Sequence, residues 1–334
     1  FFDTMTISTK ITKLLQIKHP IIQGGMHHVG FAGLASAVAN AGGLGLVTAL
    51  TQPTPELLEA EIALAQSNLL PNCEGQVGVN LTILPMFTDV IYEDYRDVII
   101  SSGVKVVETA GRPPGDFVKA FQDNGIKIIH KCVTTRHAKS AERTGVDAIS
   151  LDGFECAGHP GEEDIGNYVL QAMGARELTV PFVTSGGVGT GRQLAASLML
   201  GASGVNLGTR FMATKEAPIH ENIKKALCEG GASDTTLVMR SVRNTERVYK
   251  NSTALKVQEI EREFPGEFDK IHEYVKGENY RLSFHETGDI ENSVWSCGSV
   301  MSLIDEVLTC EDLINRMVAE AEAELLNAPN FVVH

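Results

Sequence analysis

The repeated alternation of strand-like and helix-like segments constrains the fold of this chain more than any other feature. From Ile21 onward, short apolar runs alternate with amphipathic segments, each pair taking roughly 25 to 30 residues, as in the βα units of a parallel sheet. Eight units predict an α/β fold, a (β/α)8 TIM barrel, and a doubly wound open sheet is the alternative with the same alternation. The strand-like runs are Ile21–Gln23, Leu44–Leu50, Val77–Leu81, Val104–Thr109, Ile126–Val133, Ala148–Leu151, Pro181–Ser185 and Val205–Leu207.

The alternation stops after the eighth strand-like run. From Ala217 to about Gly288 the sequence reads as helices with charged faces, without strand-like runs between them. A segment of this kind is expected to cover the C-terminal face of a barrel, where the βα loops build the site. We therefore predict a barrel made of residues 5–214 and 289–334 and a helical cap subdomain made of residues 215–288.

Charge and composition disfavour several classes of partner. The formal net charge is −14 and is spread along the chain, which argues against nucleic acid and anionic membrane surfaces as partners. No apolar run approaches the ~18 residues of a membrane-spanning helix. The six cysteines form no CxxC pair and no metal-ligand spacing, and no segment looks like a signal peptide. We expect a cytoplasmic protein with reduced thiols, no metal and small-molecule partners, for which a homo-oligomer is an allowed state.

Glycine-rich segments follow the seventh and eighth strands. Ser185-Gly186-Gly187 and Gly208-Thr209 stand where barrels commonly bind phosphate with backbone N–H groups. The alternative is that these glycines only form tight βα turns. Because both strand ends have the pattern, the sequence favours a phosphate-bearing ligand.

Three other strand ends carry residues that suit a flavin. Gly24-Gly25-Met26 would let the backbone approach a flat ring, and Asn80 and Lys131 offer amide donors and a cation on later strands. A lysine near the ring of flavin mononucleotide (FMN) would stabilise negative charge, whereas without a ligand it would be a solvated rim charge. No GxGxxG motif follows a strand, so a separate dinucleotide-binding domain is not expected.

His159 is the candidate catalytic base. It ends a polar loop after the sixth strand, directly between Gly158 and Pro160, so the imidazole is expected on a constrained loop over the barrel mouth. The ordinary pKa of histidine suits proton transfer near neutral pH. Cys156 in the same loop is the weaker alternative, because a lone cysteine is more often an inert thiol.

Five segments carry a family resemblance: His19–Met26, Ala39–Gly45, Gly153–His159, Ser185–Gly187 and Gly208–Phe211. With these segments the chain resembles, over nearly its whole length, the nitronate monooxygenase family, formerly called 2-nitropropane dioxygenases, which are FMN-dependent (β/α)8 barrels. The monooxygenase loop usually reads Glu-Ala-Gly-Gly-His, whereas this chain has Glu155-Cys156-Ala157-Gly158-His159. In this detail it looks like a bacterial branch once filed as class II nitronate monooxygenases, which is similar to NADH:quinone reductases.

The resemblance implies a flavin-dependent oxidoreductase in which His159 abstracts a proton or orients the substrate. We favour oxidation of alkyl nitronates with O2 to a carbonyl compound and nitrite. The alternative is an NAD(P)H:quinone reductase that uses the same FMN site, with NADH or NADPH as co-substrate. A third hypothesis is a phosphate-binding barrel enzyme without flavin. The residues implied to hold FMN are Gly24, Gly25, Met26, Asn80, Lys131, Asp152, Ala157, Gly158, Ser185, Gly186, Gly187, Gly208 and Thr209.

Overall fold

Eight parallel strands close into a barrel in sequence order. The computed structural model describes residues 7–83 and 90–332, so the predicted domain limits at residues 5 and 334 lie outside it. Each strand pairs with the next, and β1 pairs with β8, which places Ile22 opposite Asn206. The predicted TIM barrel is confirmed and the open-sheet alternative is wrong. The strands are β1 Ile21–Gln23, β2 Leu44–Thr48, β3 Gln76–Ile83, β4 Val106–Gly111, β5 Lys127–Cys132, β6 Ala148–Asp152, β7 Phe182–Ser185 and β8 Val205–Leu207.

Helices connect the strands and surround the barrel. Several begin and end at residues that favour helix ends. Thr54 caps the helix Pro55–Ser67 (α3) by accepting a hydrogen bond from the Leu57 N–H, and Gly145, with φ 96°, ends the helix Thr135–Thr144 (α6). The helices before residue 215 are α1 Lys10–Leu15, α2 Ala32–Asn40, α3 Pro55–Ser67, α4 Tyr92–Ser101, α5 Phe117–Asp123, α6 Thr135–Thr144, α7 Asn167–Glu177, α8 Gly191–Met199 and α9 Thr209–Met212, and the first helix after it is α10 Glu221–Glu229.

The barrel interior has an apolar layer and a polar layer, because alternate residues of a strand point to the same side. The apolar layer is a buried cluster that includes Val106, Ile129, Ala148 and Val183. The polar layer lies two residues further along the same strands, toward their C-terminal ends. Its members from these strands are Glu108, Lys131, Ser150 and Ser185.

Residues 215–288 contain a β-hairpin as well as helices, which corrects the expectation of a stretch without strands. Its strands, β9 (Thr235–Val238) and β10 (Glu246–Tyr249), are antiparallel and have only four residues each, too few to show an alternating pattern. Val238 and Val248 pack with buried residues of the next helices. Those helices are α11 Ser252–Glu263, α12 Phe268–Val275 and α13 Gly277–Leu282, followed by a π-helical turn at Ser283–Thr287.

The chain ends on a long helix, α14 (Cys310–Asn327), which packs beside α8 on the outside of the barrel. Among residues 7–83 and 90–332, no helix is long and apolar enough to cross a membrane. The division into a barrel and a cap at residues 215 and 288 stays a prediction.

Candidate active site

A buried carboxylate connects the residues at the floor of the barrel mouth. Glu108 of β4 is fully buried. Its Oε1 accepts hydrogen bonds from Asn80 Nδ2 (2.8 Å) and the Gly25 N–H (3.0 Å), and its Oε2 accepts one from Asn206 Nδ2 (2.6 Å). A buried carboxylate needs donors on its oxygens, so these three bonds fix β3, β8 and the loop after β1 relative to one another.

Gly24 and Gly25 lie directly on the two asparagines of this floor. A Cβ on Gly25 would overlap the Asn80 carboxamide, and a Cβ on Gly24 would overlap that of Asn206. Met26 follows and is held by the Thr48 hydroxyl, which accepts from the Met26 N–H (3.0 Å) and donates to its carbonyl (3.1 Å). The loop after β1 therefore crosses the floor in one fixed path that requires both glycines.

Lys131 places a positive charge beside the floor. Its Nζ lies 3.3 Å from Asp152 Oδ2, and the two side chains are 21% and 11% exposed. Burial lowers the pKa of Lys131, but the Asp152 and Glu108 carboxylates outweigh it and hold that pKa above the ordinary value. Burial raises the pKa of Asp152, Lys131 opposes the rise and Glu108 adds to it. Two carboxylates thus share one ammonium group, and Lys131 stays protonated.

Backbone N–H groups collect at the ends of β7 and β8. Gly186 (φ 84°) and Gly187 (φ 76°) have left-handed conformations, and a Cβ on Gly186 would lie 2.6 Å from that of Cys156. Within the described part of the chain, the N–H groups of Gly186, Gly187, Gly208 and Thr209 donate to no acceptor. Free N–H groups on neighbouring strand ends are the donor set that suits a phosphate.

His159 lies on the rim of the mouth and is exposed. Its Nδ1 is 3.1 Å from the Thr245 carbonyl oxygen. Because a carbonyl can only accept, Nδ1 carries the hydrogen and Nε2 of the neutral ring keeps its lone pair. Nε2 has no partner among the residues that the structure describes. The imidazole can therefore accept a proton at Nε2.

The structure places every predicted site residue at the C-terminal end of the barrel, in four groups. Gly24, Gly25, Met26 and Asn80 belong to the floor. Lys131, Asp152 and Ser185 lie beside it, with Asp152 and Ser185 opposite one another in the pairing of β6 and β7. Gly186, Gly187, Gly208 and Thr209 provide the free N–H groups, and Ala157, Gly158 and His159 form the rim loop. Their contacts with a cofactor stay predictions.

Sequence reasoning missed three residues of this arrangement. Glu108 and Asn206 face the interior in phase with other polar strand ends, and that alternation could have identified them. Thr245 lies in the hairpin of the cap, and nothing in the local sequence connects it with His159, which is 86 positions away.

Cys156, His130 and His27 have environments that do not suit a catalytic role. Burial raises the pKa of the Cys156 thiol far above its ordinary value, which keeps the thiol protonated and inert. Burial lowers the pKa of His130 to about 4, and its ring bonds the Thr109 hydroxyl (2.9 Å) on the helix side of the barrel. His27 is hydrogen-bonded to Tyr280 of the cap. The described residues contain no group of three His, Cys, Asp or Glu side chains that could hold a metal ion.

Comparisons with known proteins cover nearly the whole chain. The family model described as "Nitronate monooxygenase" matches residues 8–70 and 68–320. A (3aS,4S,5R,7aS)-5-hydroxy-7a-methyl-1-oxo-octahydro-1H-indene-4-carboxyl-CoA dehydrogenase from Rhodococcus jostii is 28% identical over 95% of this chain and 96% of its own. A nitronate monooxygenase from Pseudomonas aeruginosa is 30% identical over 70% of this chain and 77% of its own. The structure of FabK from Thermotoga maritima superimposes with a TM-score of 0.88 at 30% identity, covering 98% of this chain and 100% of that one.

Proposed function

Since the chain belongs to the nitronate monooxygenase family and is a flavin-dependent oxidoreductase, we propose that its flavin is FMN and that it oxidises alkyl nitronates with O2 to a carbonyl compound and nitrite. The observation that carries the cofactor assignment is the set of free N–H groups of Gly186, Gly187, Gly208 and Thr209 beside the glycine-covered floor. A phosphate needs such donors, and a flat ring needs a surface without side chains rising from it.

The residues present fit FMN in both charge and shape. The N–H groups at the ends of β7 and β8 would hold its phosphate. Gly24, Gly25, Met26 and Asn80 would line one side of its ring, and Lys131 would supply the positive charge that favours a reduced, anionic ring. Asp152, with its Oδ2 3.3 Å from Lys131 Nζ, orients that ammonium group, and Ser185 lies opposite Asp152 on β7, while Ala157 and Gly158 would close the other side. Bound FMN would supply the electron transfer.

His159 supplies the proton chemistry in this proposal. Its free Nε2 would take the α-proton of a neutral nitroalkane or orient a nitronate that arrives already ionised. The ring is exposed on the rim, so a substrate can reach it, and its Nδ1 bond to Thr245 limits its rotation. The substrate is expected between this ring and the floor.

A second candidate reaction is reduction driven by NADH or NADPH, with a quinone as electron acceptor. The names of two long matches support a reaction other than nitronate oxidation: the indene-carboxyl-CoA dehydrogenase and FabK align over 95% and 98% of this chain. The nitronate monooxygenase family model matches a similar length, residues 8–320, so the extent of the alignments does not decide between the two candidates. The cap belongs to the part of the chain that such long alignments include. Family membership argues against the third hypothesis, a barrel enzyme without flavin.

Anaerobic stopped-flow mixing tests both candidates. The purified yellow protein is mixed with an alkyl nitronate and, separately, with NADH and NADPH, while the visible flavin absorption is followed. Bleaching by nitronate, with nitrite released when O2 is admitted, is the expected result. Rapid bleaching by a nicotinamide and none by nitronate would establish the second candidate. A colourless protein that does not take up added FMN would contradict both.

A further inference from the structure

The loop after β6 is joined to the cap hairpin by its backbone. Gly158 and Arg247 of β10 pair as in an antiparallel sheet, with the Gly158 N–H donating to the Arg247 carbonyl (3.1 Å) and the Arg247 N–H donating to the Gly158 carbonyl (2.7 Å). The buried Arg247 guanidinium also donates twice to the Phe154 carbonyl, at 3.1 and 3.0 Å. The residue directly before His159 is therefore fixed to the hairpin.

Thr245, two residues earlier in the hairpin, is itself held from the loop. Its N–H donates to Glu162 Oε1 (2.9 Å) and its hydroxyl donates to Glu162 Oε2 (2.7 Å). Thr245 is 1% exposed, and its carbonyl accepts from His159 Nδ1. One carboxylate thus holds, with both oxygens, the residue that orients the imidazole.

We propose that Thr245 and Glu162 are positioning residues that fix the Nδ1–H tautomer of His159 and so keep Nε2 available as the proton acceptor. The effect of this tautomer on turnover rests on the proposed function of His159. The assignment of the tautomer does not rest on that function, because it follows from which ring nitrogen faces the Thr245 carbonyl. In the opposite tautomer, an unprotonated Nδ1 would face a carbonyl oxygen, and two acceptors repel one another.

The same loop provides a matched control. Asp164 also bonds the hairpin segment, through two hydrogen bonds from Arg240 at 2.7 and 3.1 Å, but neither residue contacts Thr245 or His159. Removing the carboxylate of Asp164 weakens the attachment of the loop to the cap as removing that of Glu162 does. Only the change at Glu162 should alter the tautomer of the His159 imidazole.

The tautomer of His159 can be measured directly by long-range 1H–15N correlation of the ring nitrogens in the FMN-bound protein, at a pH where the ring is neutral. His159→Asn identifies the signals by their loss. Wild type should show the Nδ1–H form alone. Glu162→Gln should show a mixture of forms, Thr245→Ser should match wild type because it keeps the hydroxyl, and Asp164→Asn should match it as well.

Kinetics give the second readout. Glu162→Gln should lower kcat roughly 10-fold, because proton transfer by a well-placed group contributes about 10²- to 10⁴-fold and a partly wrong tautomer forfeits part of that. KM and FMN content should stay within about 2-fold of wild type, since the hydrogen bonds of Glu162 go to Thr245 and not to the floor or to the phosphate cup. The phosphate cup is the set of free N–H groups of Gly186, Gly187, Gly208 and Thr209.

The outcomes separate this inference from the proposed function. A single Nδ1–H form in Glu162→Gln, or an equal disturbance in Asp164→Asn, would overturn the positioning role. A mixed tautomer with unchanged kcat would uphold the positioning role and remove His159 from the catalytic step. A mixed tautomer and lower kcat in Glu162→Gln, with wild-type behaviour in Thr245→Ser, would support both.

Discussion

The floor of the barrel mouth and the rim loop that carries His159 are held in different ways. Glu108 on the floor is fully buried, and its three hydrogen bonds come from β3, from β8 and from the loop after β1, all within the barrel. His159 is exposed, and the bond that orients it comes from the cap hairpin, outside the barrel. The proposed cofactor-binding surface is therefore built into the barrel, whereas the proposed geometry of proton transfer depends on the cap, and mutations should be able to separate the two.

The largest effect is expected from Glu108→Leu. The change leaves the amide groups of Asn80 and Asn206 and the Gly25 N–H without their buried acceptor, which should cost about 4 kcal/mol in the free energy of unfolding and abolish FMN binding. Denaturant unfolding and the flavin content of the purified protein measure both. Glu108→Gln, which keeps the size of the side chain and one acceptor oxygen, should lose less stability and less FMN than Glu108→Leu. A Glu108→Leu variant that retains full FMN would show that the floor is not part of the flavin site.

His159→Asn should lower turnover without affecting FMN binding, unlike Glu108→Leu. Asn can still donate to the Thr245 carbonyl but cannot exchange a proton, so FMN content should match wild type while turnover falls roughly 100-fold. The substrate for this assay is the one that reduces the flavin in the anaerobic experiment. Loss of FMN, or unchanged turnover, would mean that the rim loop has another role.

The glycine floor can be tested with a methyl group. Gly25→Ala places a Cβ onto the Asn80 carboxamide, and overpacking of this kind costs about 1 to 3 kcal/mol. Gly33→Ala, in α2, is the matched control, because its Cβ would meet no atom within 4 Å and alanine suits a helix better than glycine. Unfolding should show destabilisation for Gly25→Ala alone, together with weaker FMN binding. Equal stabilities would show that the loop after β1 can move off the floor.

The smallest effect concerns His130, in the layer between the barrel and its helices. Its pKa is about 4 in the folded protein against 6.5 for an unperturbed imidazole, so only the unfolded chain takes up the proton between these values. This contribution to stability is complete above pH 6.5 and declines as the pH falls, by about 2 kcal/mol at pH 5. His130→Gln should flatten that part of the pH dependence of unfolding, with FMN content unchanged. An unaltered slope would show that His130 does not titrate in this way.

The barrel could be predicted from the sequence because the pattern of each βα unit lies within a short stretch of the chain. Eight apolar runs at regular intervals, each followed by glycine or polar residues, determined the strand order and the end of the barrel where the site lies. The glycines after β1 were predicted to let a ligand approach the backbone, and that approach stays a prediction. What the structure shows is a close approach of Gly24 to Asn206 and of Gly25 to Asn80.

The residues that sequence reasoning missed are those whose role depends on tertiary contacts. Glu108 is one carboxylate among many until the closed barrel places it between Asn80 and Asn206. The hairpin was not predicted because strands of four residues are too short to show an alternation of apolar and polar residues. Thr245 acquires its role only because the hairpin packs against the rim loop, where the Thr245 carbonyl accepts from His159. Local pattern therefore predicts the candidate binding surface, while long-range pairing decides which side chains orient His159.

The pairing of Gly158 with Arg247 sets an order in which the working site can be assembled during folding. All eight barrel strands precede residue 208, so the floor and the phosphate cup can form before the hairpin exists as structure. Synthesis runs from the N-terminus, so the hairpin strands, Thr235–Val238 and Glu246–Tyr249, leave the ribosome after all eight strands of the barrel. With FMN bound as proposed, a chain under synthesis should thus acquire bound flavin before it acquires activity, and the delay between the two signals would time the docking of the cap.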